Sequence, residues 1–147
     1  MKHEARARTW RTRLSALLAT TVALVGLAVG AAPAANAAST DPLSSGCSNG
    51  ASTIWSQTYL GYGKVEVRYS PSCGTNWVRI TQATGRPAEA GIYSASSGWQ
   101  YTPSYQQSPD TFWTPMVSAP GSACVKFYAN FVNANGQLLQ TGTKQLC

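Results

Sequence analysis

All four cysteines of this 147-residue chain, Cys47, Cys73, Cys124 and Cys147, lie downstream of a segment with the features of an export signal. Residues 2–13 are basic, and Leu14 to Ala32 is an apolar, alanine-rich run without charge. Pro33 and then Ala35-Asn36-Ala37 follow, with small residues at the two positions a signal peptidase reads. That order predicts a secretory signal over 1–37, cleaved after Ala37. The competing reading, a membrane anchor, is weakened by the alanines, Gly26, Gly30, Thr20 and Thr21 in the run. No stable membrane insertion is expected after cleavage. No arginine pair points to the twin-arginine route.

Thiols carried to an oxidising compartment pair, so the even count reads as two disulfides. A Cys₄ zinc site would need a C-x-x-C knuckle, which the sequence lacks. Asn135-Gly136 is a strong short hairpin signal. With those two residues as the loop, Cys124 and Cys147 oppose one another, although a bulge near Gly142 would change the count. Cys47 and Cys73 similarly flank a turn at Leu60-Gly61-Tyr62-Gly63, close to opposite register. Of three possible connectivities, turn geometry therefore favours Cys47–Cys73 with Cys124–Cys147.

The rest of the chain has a β pattern. Lys64 to Tyr69 alternates strictly, with Val65, Val67 and Tyr69 on one face and Lys64, Glu66 and Arg68 on the other. Thr75–Thr81 puts Val78 and Ile80 on one face and Trp77 and Arg79 on the other. Further strand-like runs are Thr53–Tyr59, Gly91–Ala95, Trp99–Thr102, Thr111–Val117, Cys124–Val132 and Gln137–Gln145, punctuated by glycine and proline. No helical period persists beyond two turns. The expected fold is all-β, a small antiparallel sandwich or partly open barrel braced by two disulfides. Residues 38–46 read as a short polar leader and 47–147 as a single domain.

Charge and composition narrow the chemistry. Eleven Lys/Arg stand against five Asp/Glu, a formal +6, but Lys2, Arg6, Arg8, Arg11, Arg13 and Glu4 belong to the signal, leaving +2. Six scattered bases make no stripe for neutralising phosphates, so nucleic-acid binding is not expected. The sole histidine, His3, is also lost with the signal. A histidine triad, a histidine base and a histidine-ligated metal are thereby excluded. No cofactor or metal is expected.

Asp41, Glu66, Glu89 and Asp110 are the remaining carboxylates. A carboxylate pair can hydrolyse glycosides. However, Glu66 has Arg68 two residues away on the same face, which lowers its pKa and suits a surface ion pair better than a general acid. Lys64, Lys126 and Lys144 lack a Ser-x-x-Lys partner motif.

Two binding surfaces are candidates. Glu66, Arg68, Trp77 and Arg79 share one face if their strands pair, and a Trp between arginines can stack on a planar or sugar ligand. The plainer alternative is Trp77 packed against a second layer. The segment 93–113 carries Tyr93, Trp99, Tyr101, Tyr105, Phe112 and Trp113 with little charge. Those aromatics suit glycan or protein contact, or alternatively the core. Residues 103–110 read as an exposed loop.

The stretch Val65–Ile80, VEVRYSPSCGTNWVRI, resembles the YjfA-like domain-of-unknown-function family (2690), small secreted proteins chiefly of actinobacteria. Gly46-Cys47, Glu66-Val67-Arg68-Tyr69-Ser70, Cys73 and Trp77-Val78-Arg79 carry the likeness, with Thr114-Pro115-Met116-Val117 and Ala123-Cys124 further on. An aromatic/Gly-Lys-Asp-Pro element often precedes the Gly-Cys, and here only Asp41-Pro42 stands. The resemblance implies a secreted β-rich domain and no particular activity. The expected function is therefore a secreted, non-catalytic binding module for envelope polysaccharide or an extracellular protein. The alternatives are a secreted inhibitor and a histidine-free glycosidase.

Overall fold

The computed structural model describes residues 40–147; the segment read as a secretory signal lies outside them. Every regular element among the described residues is a strand: β1 Ser52–Tyr59, β2 Gly63–Ser70, β3 Thr75–Thr81, β4 Ala88–Ser94, β5 Gly98–Tyr101, β6 Thr111–Trp113, β7 Val117–Ser118, β8 Val125–Val132, β9 Leu138–Gln140 and β10 Lys144–Leu146.

They form two antiparallel sheets. One runs β1-β2-β3-β6 with β7 also on β3, and the other runs β10-β8-β4-β5 with β9 also on β8. Alternation along β2, β3, β4 and β8 turns one side chain in two toward the opposite sheet. Val65, Val67, Val78 and Ile80 from the first sheet meet Ala90, Ile92, Phe127, Ala129 and Phe131 from the second in one core. This is a sandwich, not a closed barrel. The run expected as one strand over 111–117 is broken at Pro115 into β6 and β7, since proline has no N–H for the ladder.

Both predicted disulfides are present, Cys47–Cys73 and Cys124–Cys147. The hairpin that carries the second differs from the expected two-residue Asn135-Gly136 turn. Gly136 N donates to Asn133 O at 3.0 Å and Asn133 N to Gln137 O at 3.0 Å, so Ala134, Asn135 and Gly136 make a three-residue loop. Gly136 takes the left-handed position (φ 77°) that closes such a loop. The pairs Val132↔Leu138, Phe131↔Leu139 and Asn130↔Gln140 are consequently one residue out of step with Phe127↔Lys144, Lys126↔Gln145 and Val125↔Leu146. Thr141-Gly142-Thr143 absorbs the difference, with Gly142 at φ 67°.

Residues 40–46, the described part of the polar leader read over 38–46, turn back onto the first sheet. Asp41 Oδ1 accepts from Leu43 N (2.8 Å) and Ser44 N (2.9 Å), an Asx turn that starts the fold-back. Met116 N donates to Thr40 O at 3.1 Å, and Cys47 is tied to Cys73. Pro42 is buried beneath this turn.

Candidate functional site

The outer face of the first sheet gathers Glu66, Arg68, Trp77 and Arg79 as expected, for the register sets Glu66 opposite Arg79 and Arg68 opposite Trp77. Trp113 follows Arg79 across β6. The face is not a surface ion pair, however. Glu66 is only 5% exposed, enclosed between β1 and β3. Its Oε2 accepts from Arg79 Nε at 2.6 Å and its Oε1 lies 2.8 Å from Lys64 Nζ. Burial alone would raise the Glu66 pKa, but the hydrogen bonds from Arg79 and Lys64 outweigh it and hold the carboxyl below its ordinary value. Arg68, expected as the partner of Glu66, turns instead toward β1, where it donates to Thr53 Oγ1 and Ala51 O, both at 2.6 Å.

Trp77 faces outward and is nevertheless 3% exposed. The disulfide-tethered turn covers it, so that Trp77, Cys47 and Met116 form a second small core against Ala51, Cys73 and Trp113. An indole shut in this way has no free face for a ligand. The charged face thus holds the first sheet together and seats the leader.

The second sheet presents the opposite character. Its outer face carries Tyr93 on β4, Trp99 and Tyr101 on β5, and Tyr128 on β8. Trp99 and Tyr101 are parallel within 9° at 5.9 Å between centroids; Tyr93 and Tyr128 approach Trp99 at 5.5 and 5.7 Å. Gly91 lies opposite both Tyr101 and Tyr128. A Cβ there would stand 2.5 Å from Tyr128 Cε1 and 3.1 Å from Tyr101 Cδ1, so the missing side chain is what lets both rings close over the strand.

Tyr101, 53% exposed, continues this surface around the sandwich edge. Between β5 and β6 lies a cleft of about 570 Å³, lined by Tyr101, Tyr105, Trp113, Pro103, Pro115 and Asp41 among others. That volume falls in the range of small-molecule sites. Tyr105 also borders a second hollow, of about 320 Å³, with Glu89, Ser104, Asn130 and Leu138. The loop 103–110 supplies Pro103, Tyr105 and Pro109 to the cleft. Tyr105 is anchored by a β-bridge to Ala88 and by its edge-on contact with Phe112 at 4.8 Å.

Each hollow contains a carboxylate with fixed orientation. Glu89 accepts from Ser104 Oγ at 2.6 Å and Asn130 Nδ2 at 2.8 Å, and these two bonds lower its pKa against the opposing effect of burial. Asp41 Oδ2 accepts from Trp113 Nε1 at 2.6 Å. Burial pushes Asp41 up, but the hydrogen bonds from Ser44, Trp113 and Leu43 bring it below its ordinary value.

Of the sequence candidates, Tyr101 from the second sheet and Trp113 from the first line one cleft, with Trp99 stacked beside Tyr101, while Glu66, Arg68, Trp77 and Arg79 do not line it. Tyr128, Asn130 and the orienting role of Glu89 were missed. The available signal was the alternation of Lys126, Tyr128 and Asn130 against the inward Phe127, Ala129 and Phe131. Among the described residues, no group of three or more His, Cys, Asp or Glu is placed to hold a metal, and no helix is long and apolar enough to cross a membrane. The aromatic edge can stack on ring faces and accept hydrogen bonds.

No curated protein and no solved structure matches the chain. A family model described as "Protein of unknown function (DUF2690)" matches residues 35–127, from before the leader turn into β8. That stretch is more than half of the chain, and the chain belongs to this family.

Proposed function

We propose that this protein is a secreted, non-catalytic domain that binds envelope polysaccharide along the aromatic edge formed by Trp99, Tyr101, Tyr105 and Trp113. The observation that carries this reading is the cleft of about 570 Å³, where Tyr101, Tyr105 and Trp113 converge beside the near-parallel Trp99–Tyr101 pair. Sugar rings present C–H faces to aromatic rings and hydroxyls to carboxylates and amides, and this edge offers both.

The carboxylates support a binding role over hydrolysis. A glycosidase acid needs a raised pKa to hold its proton. Asp41, Glu66 and Glu89 are all displaced the other way. Two disulfides suit an oxidising, extracellular setting.

The test is co-sedimentation of the oxidised protein with insoluble cell-wall polysaccharide, with tryptophan emission followed in parallel. Binding that shifts the emission and falls about tenfold in Tyr101→Ala supports the reading, an aromatic anchor being worth about 1–2 kcal/mol. Retention by no polysaccharide overturns it. The second reading is an extracellular protein partner, favoured by Leu138, 61% exposed at the rim of the smaller hollow.

A further inference from the structure

Sequence composition makes one feature of the edge unexpected. Past the segment read as the signal, bases outnumber acids six to four, yet the cleft and the adjoining hollow are lined by Asp41 and Glu89 and by no Lys or Arg. The nearby bases are engaged elsewhere. Arg79, next to Trp113 in the register, is bound to Glu66. Arg86, which precedes Pro87 of the smaller hollow, donates to the carbonyls of Gly61 and Gln82. Lys126 lies over the Tyr93 ring, 5.9 Å from its centroid, and lines neither hollow. Tyr105 borders both hollows, so they adjoin, the cleft holding Asp41 with Tyr101 and Trp113 and the smaller hollow holding Glu89.

From this charge complementarity we infer that the ligand is an amino sugar polymer with free ammonium groups, such as a glucosamine-rich, de-N-acetylated glycan. This rests on the glycan reading above and specifies its ligand class. An ammonium group gains from a carboxylate and from the faces of Trp and Tyr rings together, whereas an acetamido or hydroxyl group gains little from the charge. An acidic polymer would set its anions against Asp41 and Glu89. Glu89 is fixed by Ser104 and Asn130, and Asp41 by Trp113 and its own turn, so neither carboxylate must be ordered on binding.

The experiment compares a glucosamine hexamer, an N-acetylglucosamine hexamer and a lysine hexapeptide by calorimetry on the oxidised protein, at mildly acidic pH and two salt concentrations. The expected result is glucosamine hexamer binding at least about tenfold tighter than the acetylated one, with the advantage shrinking in high salt. Glu89→Gln, whose amide oxygen can still accept from Asn130 and whose amide N–H can donate to Ser104 Oγ, should remove most of that advantage, lowering glucosamine-hexamer binding far more than acetylated-hexamer binding while the protein still melts cooperatively. Asp41→Asn removes the charge beside the cleft, and because its amide cannot accept from Trp113 Nε1 it is read through the ratio of the two hexamers alone. Equal binding of the two hexamers, or an advantage untouched by both variants, overturns the inference. The lysine peptide matching the glucosamine hexamer also overturns it, because charge alone would then suffice. Cell-wall polysaccharide retained while neither hexamer binds overturns the amino-sugar assignment and leaves the glycan reading standing; loss of both removes the two together.

Discussion

Trp113 Nε1 donates to Asp41 Oδ2 at 2.6 Å across 72 residues of chain, joining the leader turn to the wall of the aromatic cleft. One carboxylate thereby serves two ends. Oδ1 caps the turn through Leu43 N and Ser44 N, and Oδ2 fixes the indole. Asp41→Ala should therefore cost about 1–2 kcal/mol in urea unfolding, from one charge-assisted hydrogen bond and one turn cap. Tryptophan emission should move to longer wavelength in the folded state as Trp113 loosens. An unchanged emission maximum would separate the turn from the cleft.

The Glu66 cluster makes an asymmetric prediction. Arg79→Ala leaves a buried carboxylate with Lys64 alone and should cost about 2–3 kcal/mol. Glu66→Gln should cost less, because Lys64 and Arg79 each keep about a third of their side chains in water. Chemical denaturation of the two variants side by side decides the order.

Acid titration follows from the same group. The folded-state pKa of Glu66 lies below its ordinary value of 4.5, so the unfolded chain takes up the proton first. Its contribution to stability is present above about 4.5 and is lost as pH falls through the lower folded value. Denaturation midpoints measured downward from neutral pH should fall in that window, and by less in Glu66→Gln.

Gly91→Ala tests how the aromatic surface is built. The added methyl meets the Tyr128 and Tyr101 rings, and ring ends can swing aside, so the fold should lose only about 1 kcal/mol. Polysaccharide retention should drop sharply. At Gly63 the same change meets Phe131, the Thr81 carbonyl and Ala83 inside the sandwich, and the thermal melt should suffer more than at Gly91.

Opening the Cys47–Cys73 bridge should cost about 3–4 kcal/mol, given a sequence separation of 26. Cys47→Ser with Cys73→Ser should also make Trp77 quenchable by acrylamide, since the turn over it is held by that bridge. The Cys124–Cys147 pair closes a loop of similar length but holds only β10 at its far end. Its double serine variant should leave Trp77 protected.

Much of this architecture was legible because alternation is a local signal. The Val65/Val67 and Val78/Ile80 stripes follow directly from side-chain period, and the pairing of β2 with β3, a condition in the sequence reading, is met in the structure. Alternation tells which side of a sheet a residue takes, not what lies on that side. Glu66 and Trp77 face away from the sandwich core as expected, yet both are buried, one by neighbouring strands and cations and the other by Met116, Trp113 and the Cys47–Cys73 bridge. Nothing in the composition of residues 40–46 shows that Asp41 and Cys47 will pin them down. The aromatic edge was half visible. Trp99, Tyr101 and Trp113 come from one segment, whereas Tyr128 joins only through the β4–β8 register, which local sequence does not reveal.

The three-residue turn at 134–136 and the irregularity at 141–143 have a joint consequence for how the chain matures. Each alone would displace Cys147 by one position along β8, and together they cancel. A hairpin that zipped with the simpler two-residue turn, or skipped the correction at Gly142, would present the last cysteine to the wrong neighbour. The Cys124–Cys147 cross-link closes on the one alignment that satisfies both irregularities, so the bridge locks the strand register that the turn and Gly142 set together.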